Sequence, residues 1–572
     1  MKQKLRIVFL MGADTDSARL CIEKVCALAN AEVVAALLDE ERTGLRRRVK
    51  NLRRNVRKEG WQYIPRRVLK FLRALTDRLV ECSVVSSDSV HQVLAASFPD
   101  RCFSLGELGQ KYNFEVLEVG NLNESRAIAA LKAADADLGI VLGTRILKEQ
   151  IFSVPRLGCV NLHKGMVPNY RGMPPAFWEL YDGAASAGVT VHYVNKGLDT
   201  GDIVEMAEVP ILPTDTPDTL CEKLHEEGAR TLARAVDAIA TGTAVARKQG
   251  RPDLKARSAP TAAEVWELQK RLPHWRQRSD ARAITINIYL LLVYWSGLYF
   301  LMRMWHRGLR ARGCILLYHR VNDYSKDILT VDTRTFAAQL IAMRRRYPST
   351  TTSDMVDRIG HGGKIKPTSI VIHFDDCYRD TVLNGMPILK TLGYLPTFFV
   401  SSGFLNTDRA FAHDSDSYPF RFPNLRTDDV HAWSGAGFEL GAHTVNHVDL
   451  GTCSVAEAKC EVTESRLQLD AVRTANGKSH SQPAEGSVRF MSYPFGQPQN
   501  IRPEVVMLVR DAGYSALFSA YGGSVGPKTE LFNIPRMGVS GETRPLYLLL
   551  EIEGLAPRQV LSAFRRRAGV SG

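Results

Sequence analysis

The chain has 572 residues, of which 45% are hydrophobic and 24% charged, a composition that builds cores and excludes disorder as the default state. At roughly 100 to 200 residues per domain this length excludes a single small module and predicts two or three domains. Its 74 Lys and Arg against 61 Asp and Glu leave a formal charge of +13, which favours an anionic partner without choosing among phosphate, acidic lipid and nucleic acid.

In chain order, the start MKQKLRIVFLMGAD holds only a short apolar run and no small-residue cleavage site, so it reads as a cytosolic first strand rather than a signal peptide. Arg6–Gly12, a helix over about Ser17–Asn30, the strand AEVVAALLDE and the strand Ala136–Thr144 alternate regularly. That rhythm predicts an α/β domain with a Rossmann-like parallel sheet, over residues 1–245, that collects ligands at the carboxyl ends of its strands. Inside it, Arg46, Arg47, Arg48, Lys50, Arg53 and Arg54, with Arg57 and Lys58, surround the thin apolar series Leu45, Val49, Leu52 and Val56. Such a stretch suits an anionic membrane surface, a phosphorylated substrate or plain solvent. No aromatic residues are interleaved for base stacking, so no nucleic acid is expected.

Residues 246–312 read as a linker: a polar connector with one helix, then Ala283–Met302, 20 residues without a charge. At about 1.5 Å per residue a helix of that length matches a bilayer core of roughly 30 Å. Basic residues flank it on both sides, Arg276, Arg278 and Arg282 before and Arg303, Arg307, Arg310 and Arg312 after, so the charge rule assigns no orientation. Attachment to the inner face of the cytoplasmic membrane, a single pass, and a buried helix between domains all stay open. A second domain spans 313–550, with strands Cys314–Val321, Ser369–Asp376, Pro396–Ser402 and Phe438–Thr444 separated by helical stretches such as Asp380–Gly393. Repeated βα units predict a barrel-like α/β fold with chemistry at the strand ends, followed by a basic tail over 551–572. The ten cysteines stand singly with no CxxC pair, which fits a reducing compartment and neither a disulfide framework nor a zinc ribbon.

Two places carry chemistry. In the first domain, Asn161, His163, the Arg171-Gly172 turn and Asp199 supply an amide, an imidazole and a carboxylate, the groups acyl transfer to an amine needs for proton movement and oxyanion stabilisation. Asn161-Leu-His163, then Pro168-Asn-Tyr-Arg171-Gly172, then Gly197-Leu-Asp199-Thr-Gly201 resemble the formyltransferases that act on methionyl-tRNA, glycinamide ribonucleotide and sugar nucleotides. The resemblance covers about residues 4–245. It implies 10-formyltetrahydrofolate as donor, Asn161 polarising the formyl oxygen, His163 assisting proton movement on the amine, Asp199 holding that imidazole, and Arg171 near the substrate. Gly165 stands where many relatives carry Ser, and Met166-Val167 replace leucines. No five-stranded β domain is visible after residue 245, which favours a small amine such as an amino sugar over tRNA.

In the second domain, Asp375 and Asp376 end a buried strand, where two adjacent carboxylates require a cation or a proton. His443 and His447 end another, four residues apart. One carboxylate with two imidazoles suits a divalent ion such as zinc, leaving the other carboxylate as general base. The FDD strand end, the HxxxH segment and the loop Ser492-Tyr493-Pro494-Phe495-Gly496 resemble the polysaccharide deacetylases, a distorted (β/α) barrel family, over about residues 314–545. The resemblance implies Asp375 as base, Asp376, His443 and His447 as metal ligands, and Arg536 steadying the base. Tyr493 and Pro494 would lie on the substrate loop, with the Tyr493 backbone N–H aimed at the oxyanion. Cys377 replaces the usual glycine, which would alter the turn or set a thiol beside the metal, and no histidine follows Arg536; His319 then either stands in for the general acid or caps its own strand.

Together these readings predict a bifunctional amino-sugar enzyme for cell-envelope polysaccharide, removing an N-acetyl group with a metal and adding a formyl group from 10-formyltetrahydrofolate, on a sugar nucleotide or lipid-linked sugar. The alternatives are formylation as temporary protection with the second domain as deformylase, or one domain inactive and used for binding.

Overall fold

The computed structural model describes residues 4–39, 52–57, 60–61, 63–251, 255–272, 275, 280–308, 312–325, 327–362, 368–415, 422–474 and 487–567. Most of the basic run expected between Leu45 and Lys58 lies outside these residues, as do Arg276, Arg278 and Arg310. The chain forms two compact units, one of Met1–Arg66 with Asp100–Gln277, the other of Arg67–Pro99 with Arg278–Gly572. The continuous first domain expected over 1–245 is therefore interrupted. The helix Tyr63–Cys82, from Arg67 onward, and the helix Ser87–Ser97 belong to the second unit. There Arg73 pairs with Asp280 at 2.7 Å, Asp77 with Arg544 at 2.7 Å, and Ser97 bonds Thr391 at 2.9 Å. The expected linker divides as well. Its helix Ala262–Arg271 stays in the first unit, where Leu268 and Trp275 pack on Phe177 and Trp178.

The first unit is built on a seven-stranded sheet of β1 (Leu5–Met11), β2 (Ala31–Leu38), β3 (Glu115–Glu118), β4 (Leu138–Leu142), β5 (Cys159–His163), β6 (Ser186–Tyr193) and β7 (Ile203–Pro210), in the order β3-β2-β1-β4-β5-β6-β7. β1 and β4 are apolar and buried almost throughout, the signature of parallel strands covered on both faces. The helices Asp16–Cys26 and Pro217–Thr241 close one face through Ile22, Val25, Leu224 and Leu232 against Ile7, Phe9 and Ile140. β6 and β7 then run antiparallel, which sets residues of β6 directly opposite those of β5.

The second unit holds a seven-stranded, wholly parallel sheet: β8 (Gly313–Tyr318), β11 (Ser369–Phe374), β12 (Thr397–Val400), β13 (Glu439–Ala442), β14 (Phe490–Ser492), β15 (Ala516–Phe518) and β16 (Met537–Gly538), in the order β15-β14-β13-β12-β11-β8-β16. The short pair β9 (Arg320–Val321) and β10 (Thr330–Val331) lies apart from it. No ladder joins β15 to β16 among the described residues, so the predicted barrel is an open one. Every expected catalytic or metal residue of this unit except Arg536 follows the carboxyl end of a strand.

The uncharged segment Ala283–Met302 is not the single helix its composition predicts. It breaks at Ser296-Gly297, where Gly297 has φ +84°, into Asp280–Trp295 and Leu298–Gly308, bent by 60°. Among the described residues no single helix is long and apolar enough to cross a membrane; this bent pair passes by length and composition.

Candidate active sites

In the first unit, the antiparallel register places Asn161 opposite His192 and His163 opposite Thr190. The loop after β6 brings in Asp199, whose backbone is left-handed at φ +51°. Asp199 lies 3.6 Å from the His163 Nδ1 and 3.6 Å from the His192 Nε2, and Asn161 Nδ2 is 3.5 Å from its carboxylate. Asn161, His163 and Asp199 thus lie together. His192 joins them unpredicted: its Nδ1 donates to the Tyr193 carbonyl at 2.8 Å, leaving Nε2 to accept from Asn161 Nδ2 at 3.2 Å. That bond orients the amide.

His163 Nε2 donates to the Tyr170 carbonyl at 2.7 Å, so in the neutral ring the basic nitrogen is Nδ1, facing Asp199. Burial lowers the His163 pKa, against the opposing pull of Asp199. Burial disfavours the Asp199 carboxylate, but the charge that the rings of His192 and His163 carry when protonated, with the Gly172 N–H at 3.2 Å, outweighs it and holds its pKa below the usual range. Gly165 has a structural reason. A Cβ there would lie 2.3 Å from the Tyr170 oxygen and 2.7 Å from His163 Nε2, so the serine of relatives would break the bond that fixes the ring. Arg171 flanks this turn beside Lys164, Trp178 and Glu179, with its Nε buried and unpartnered among the described residues.

Gly172 has φ +94°, and a Cβ would meet the Arg257 carbonyl oxygen at 2.1 Å. Gly172→Ala should therefore displace the N–H that holds Asp199, with strain on the order of 1–3 kcal/mol. Formyl transfer should fall by roughly tenfold or more in kcat/KM, with a lower melting temperature; wild-type kinetics would show that the turn does not position Asp199.

In the second unit, Asp376 Oδ1 lies 3.1 Å from His447 Nε2 and 3.5 Å from His443 Nε2. The three side chains offer ligand atoms within 4.8 Å of one another. His443 Nδ1 faces the Ser492 hydroxyl at 2.6 Å and its carbonyl at 3.0 Å, which turns Nε2 toward Asp376, the outer support that a ligating imidazole needs. Asp376 Oδ2 is buried with no hydrogen-bond partner among the described residues. Two imidazole nitrogens and one carboxylate, whose second oxygen is buried without a hydrogen-bond partner among the described residues, fit a divalent ion. Burial opposes ionisation of Asp376, yet His443 and His447 hold its pKa well below the ordinary range.

Asp375 forms a two-pronged ion pair with Arg536, at 2.7 and 2.6 Å, and Arg536 Nε donates to the Ser519 carbonyl at 2.7 Å. Despite burial, Arg536 and then His443 keep Asp375 ionised below the usual carboxylate range. Arg536→Met would leave a buried, unpaired carboxylate. It should cost about 3–5 kcal/mol of stability, read as a lower urea midpoint, and reduce amide hydrolysis; unchanged stability would contradict this reading of the pair. His319 follows β8 and feels the charges of Asp376 and Asp375, which oppose the lowering of its pKa by burial. His413, unpredicted, stands 3.9 Å from Asp376 Oδ2 and 2.9 Å from the Tyr378 hydroxyl.

Three expectations change. The Tyr493 N–H does not face the pocket: it donates to the Phe518 carbonyl at 3.0 Å, because residue 493 continues the β14–β15 pairing. Pro494 is buried, and it is Phe495, half exposed, that reaches the site, its ring 5.0 Å from that of His447. The left-handed residue after β11 is Asp376 itself, at φ +76°, so Cys377 does not occupy the position that favours glycine. Its thiol is buried, with its pKa raised, and lies outside the ligand set.

Residues 80–236 match the formyl transferase family and residues 362–517 the polysaccharide deacetylase family. The chain joins a formyl transferase domain to a polysaccharide deacetylase domain. A methionyl-tRNA formyltransferase of Bacteroides fragilis is 34% identical over 131 residues, 23% of this chain and 40% of that relative. The chain thus spans less than half the length of the curated relative it matches. Among solved structures, the deacetylase PplD of Streptococcus pyogenes in complex with acetate aligns with 42% of this chain and 98% of its own, at 20% identity and a TM-score of 0.35. The glycinamide ribonucleotide transformylase 1 of Symbiobacterium toebii aligns with 43% and 95%, at 19% identity and a TM-score of 0.29. Both domains are of enzyme families, so the chain is an enzyme.

Proposed function

We propose that the deacetylase domain removes the N-acetyl group from an amino sugar and that the formyl transferase domain then formylates the exposed amine, with 10-formyltetrahydrofolate as donor. The observation that supports this reading is that Asn161, His163 and Asp199 meet in one unit and Asp376, His443 and His447 in the other. One reaction releases an amine and the other consumes one.

In the deacetylase site Asp376, His443 and His447 would hold the divalent ion. When bound, it supplies polarisation of the amide carbonyl and a lowered pKa for water at the site. Asp375, kept ionised by Arg536, takes the proton from the attacking water. His319 donates a proton to the departing amine, and His413 lines the same pocket. In the formyl transferase site His163 Nδ1, basic and facing Asp199, takes the proton from the attacking amine. The Asn161 amide, already oriented by His192, donates to the formyl oxygen as negative charge develops there. Asp199 stabilises the imidazolium formed in that step, which then gives its proton to the folate nitrogen as the bond from that nitrogen to the formyl carbon breaks. Arg171 contacts the anionic part of the substrate.

The substrate class is a sugar nucleotide or lipid-linked sugar of cell-envelope polysaccharide, met at the inner face of the cytoplasmic membrane. The two half-reactions test the assignment separately. The N-acetyl sugar alone should yield acetate and free amine, and the free-amine sugar with donor should yield the N-formyl product. Formate release from the N-formyl sugar, with no acetate from the N-acetyl sugar, would instead favour formylation as temporary protection.

A further inference from the structure

The second unit carries an unassigned basic cavity at the edge of exposed apolar helices. The cavity, of about 420 Å³, is lined by Arg303 and Arg307 of the helix Leu298–Gly308 and by Arg344, Arg345 and Arg346 at the end of the helix Thr333–Arg344. Its volume is that of a small-molecule site. None of the five arginines pairs with a carboxylate among the described residues. Their recorded bonds go to neutral acceptors: Arg303 to the Arg346 carbonyl, Arg345 to the Ser89 hydroxyl at 3.2 Å, Arg346 to the Tyr294 hydroxyl at 3.0 Å. Thr368 also lines the cavity, 3% exposed, with a hydroxyl that has no partner among the described residues. Guanidinium groups gathered without counter-charge match a phosphate, which accepts several such forks at once.

The helix that gives Arg303 and Arg307 also exposes Leu301, Met304 and Trp305 at 65, 70 and 53%, a spacing of three and one that puts them on one stripe. Ile288, Leu292 and Trp295 form an exposed stripe on Asp280–Trp295, and Phe71, Leu75 and Leu79 another on Tyr63–Cys82. These last two helices are tied side by side, since the buried Asn287 donates to Thr76 at 3.0 Å and Asp77 at 2.7 Å. The one strongly polar residue of the uncharged segment is thus spent inside the protein, and the apolar stripes remain outside. Exposed apolar area of this extent marks an interaction surface.

We propose that these three helices attach the enzyme to one leaflet of an anionic membrane, their apolar stripes entering the interface and the five-arginine cavity holding the phosphate of a lipid headgroup. The break at Gly297 suits a helix pair that lies in the interface. The inference specifies the membrane part of the proposed function and rests on it, but its test reads binding and is indifferent to turnover, so failure of one is distinguishable from failure of the other.

The full chain is floated with vesicles of phosphatidylcholine alone and of phosphatidylcholine mixed with phosphatidylglycerol. It should float with the mixed vesicles. Arg307→Glu with Arg344→Glu should reduce the bound fraction roughly tenfold or more, the Gln versions less, and Leu301→Glu with Trp305→Glu should abolish it. All variants should keep the wild-type melting temperature, and inorganic pyrophosphate should not release the wild type. Absence of flotation, unchanged flotation of the arginine variants, or release by pyrophosphate would overturn the proposal, the last by making the cavity a site for soluble phosphate. A wild-type dimer that Leu301→Glu with Trp305→Glu dissociates, with no vesicle binding, would overturn it in favour of a second copy of the chain.

Discussion

Asp376→Ala should abolish amide hydrolysis and divalent-metal content together, while formyl transfer continues at its wild-type rate. Among the described residues Asp376 is the only carboxylate in the ligand set with His443 and His447, and its second oxygen is buried without a hydrogen-bond partner. Removing it leaves two imidazoles, which do not hold a divalent ion against solvent. The expected loss is about a thousandfold or more, on the order of 4 kcal/mol of transition-state stabilisation. Metal content by elemental analysis and acetate release are read on the same sample. Hydrolysis that persists at the wild-type rate would refute the metal assignment, and chelation of the wild type should reproduce the variant.

His163→Ala should lower formyl transfer by roughly 10² to 10⁴, the range for loss of a positioned proton acceptor, with deacetylation unchanged. Asp199→Asn should be distinguishable from it by pH. Burial lowers the pKa of His163 and Asp199 opposes that lowering. The wild-type acid limb should therefore fall below the usual histidine value near 6.5. Removing the Asp199 charge takes away the opposing pull, so the limb of Asp199→Asn should move further down while kcat falls. A limb that moves upward would contradict the role given to Asp199.

The strands were legible because β1, β4, β8 and β11 are mostly apolar and buried almost throughout, and the residues in and after β5, β11 and β13 belong to short, distinctive motifs. What was not legible depends on pairing and long-range packing. His192 sits in a strand that reads as apolar, and only its antiparallel register opposite Asn161 brings it to the site; its alternation with Val189 and Val191, on the Thr190 side, was the available signal. His413 arrives in a short helix distant in sequence from both Asp376 and His447. The Tyr493 N–H looked free because the motif does not say where β14 stops pairing with β15. The transfer of Arg67–Pro99 to the second unit rests on contacts such as Arg73 with Asp280, which no local pattern announces. Gly297 shows the reverse case, a helix boundary visible as Ser-Gly inside an apolar run but overridden by hydropathy.

In the proposed sequence both sites act in turn on one nitrogen. The direct measurement is mass spectrometry of a single reaction containing the full enzyme, its metal, 10-formyltetrahydrofolate and an amino sugar labelled with ¹⁵N in its N-acetyl group. The label should be retained in an N-formyl product lighter by one methylene group, Asp376→Ala should return the substrate unchanged, and His163→Ala should stop at the labelled free amine. An N-acetyl sugar left intact by the wild type, with formylation only of amine supplied from outside, would contradict it.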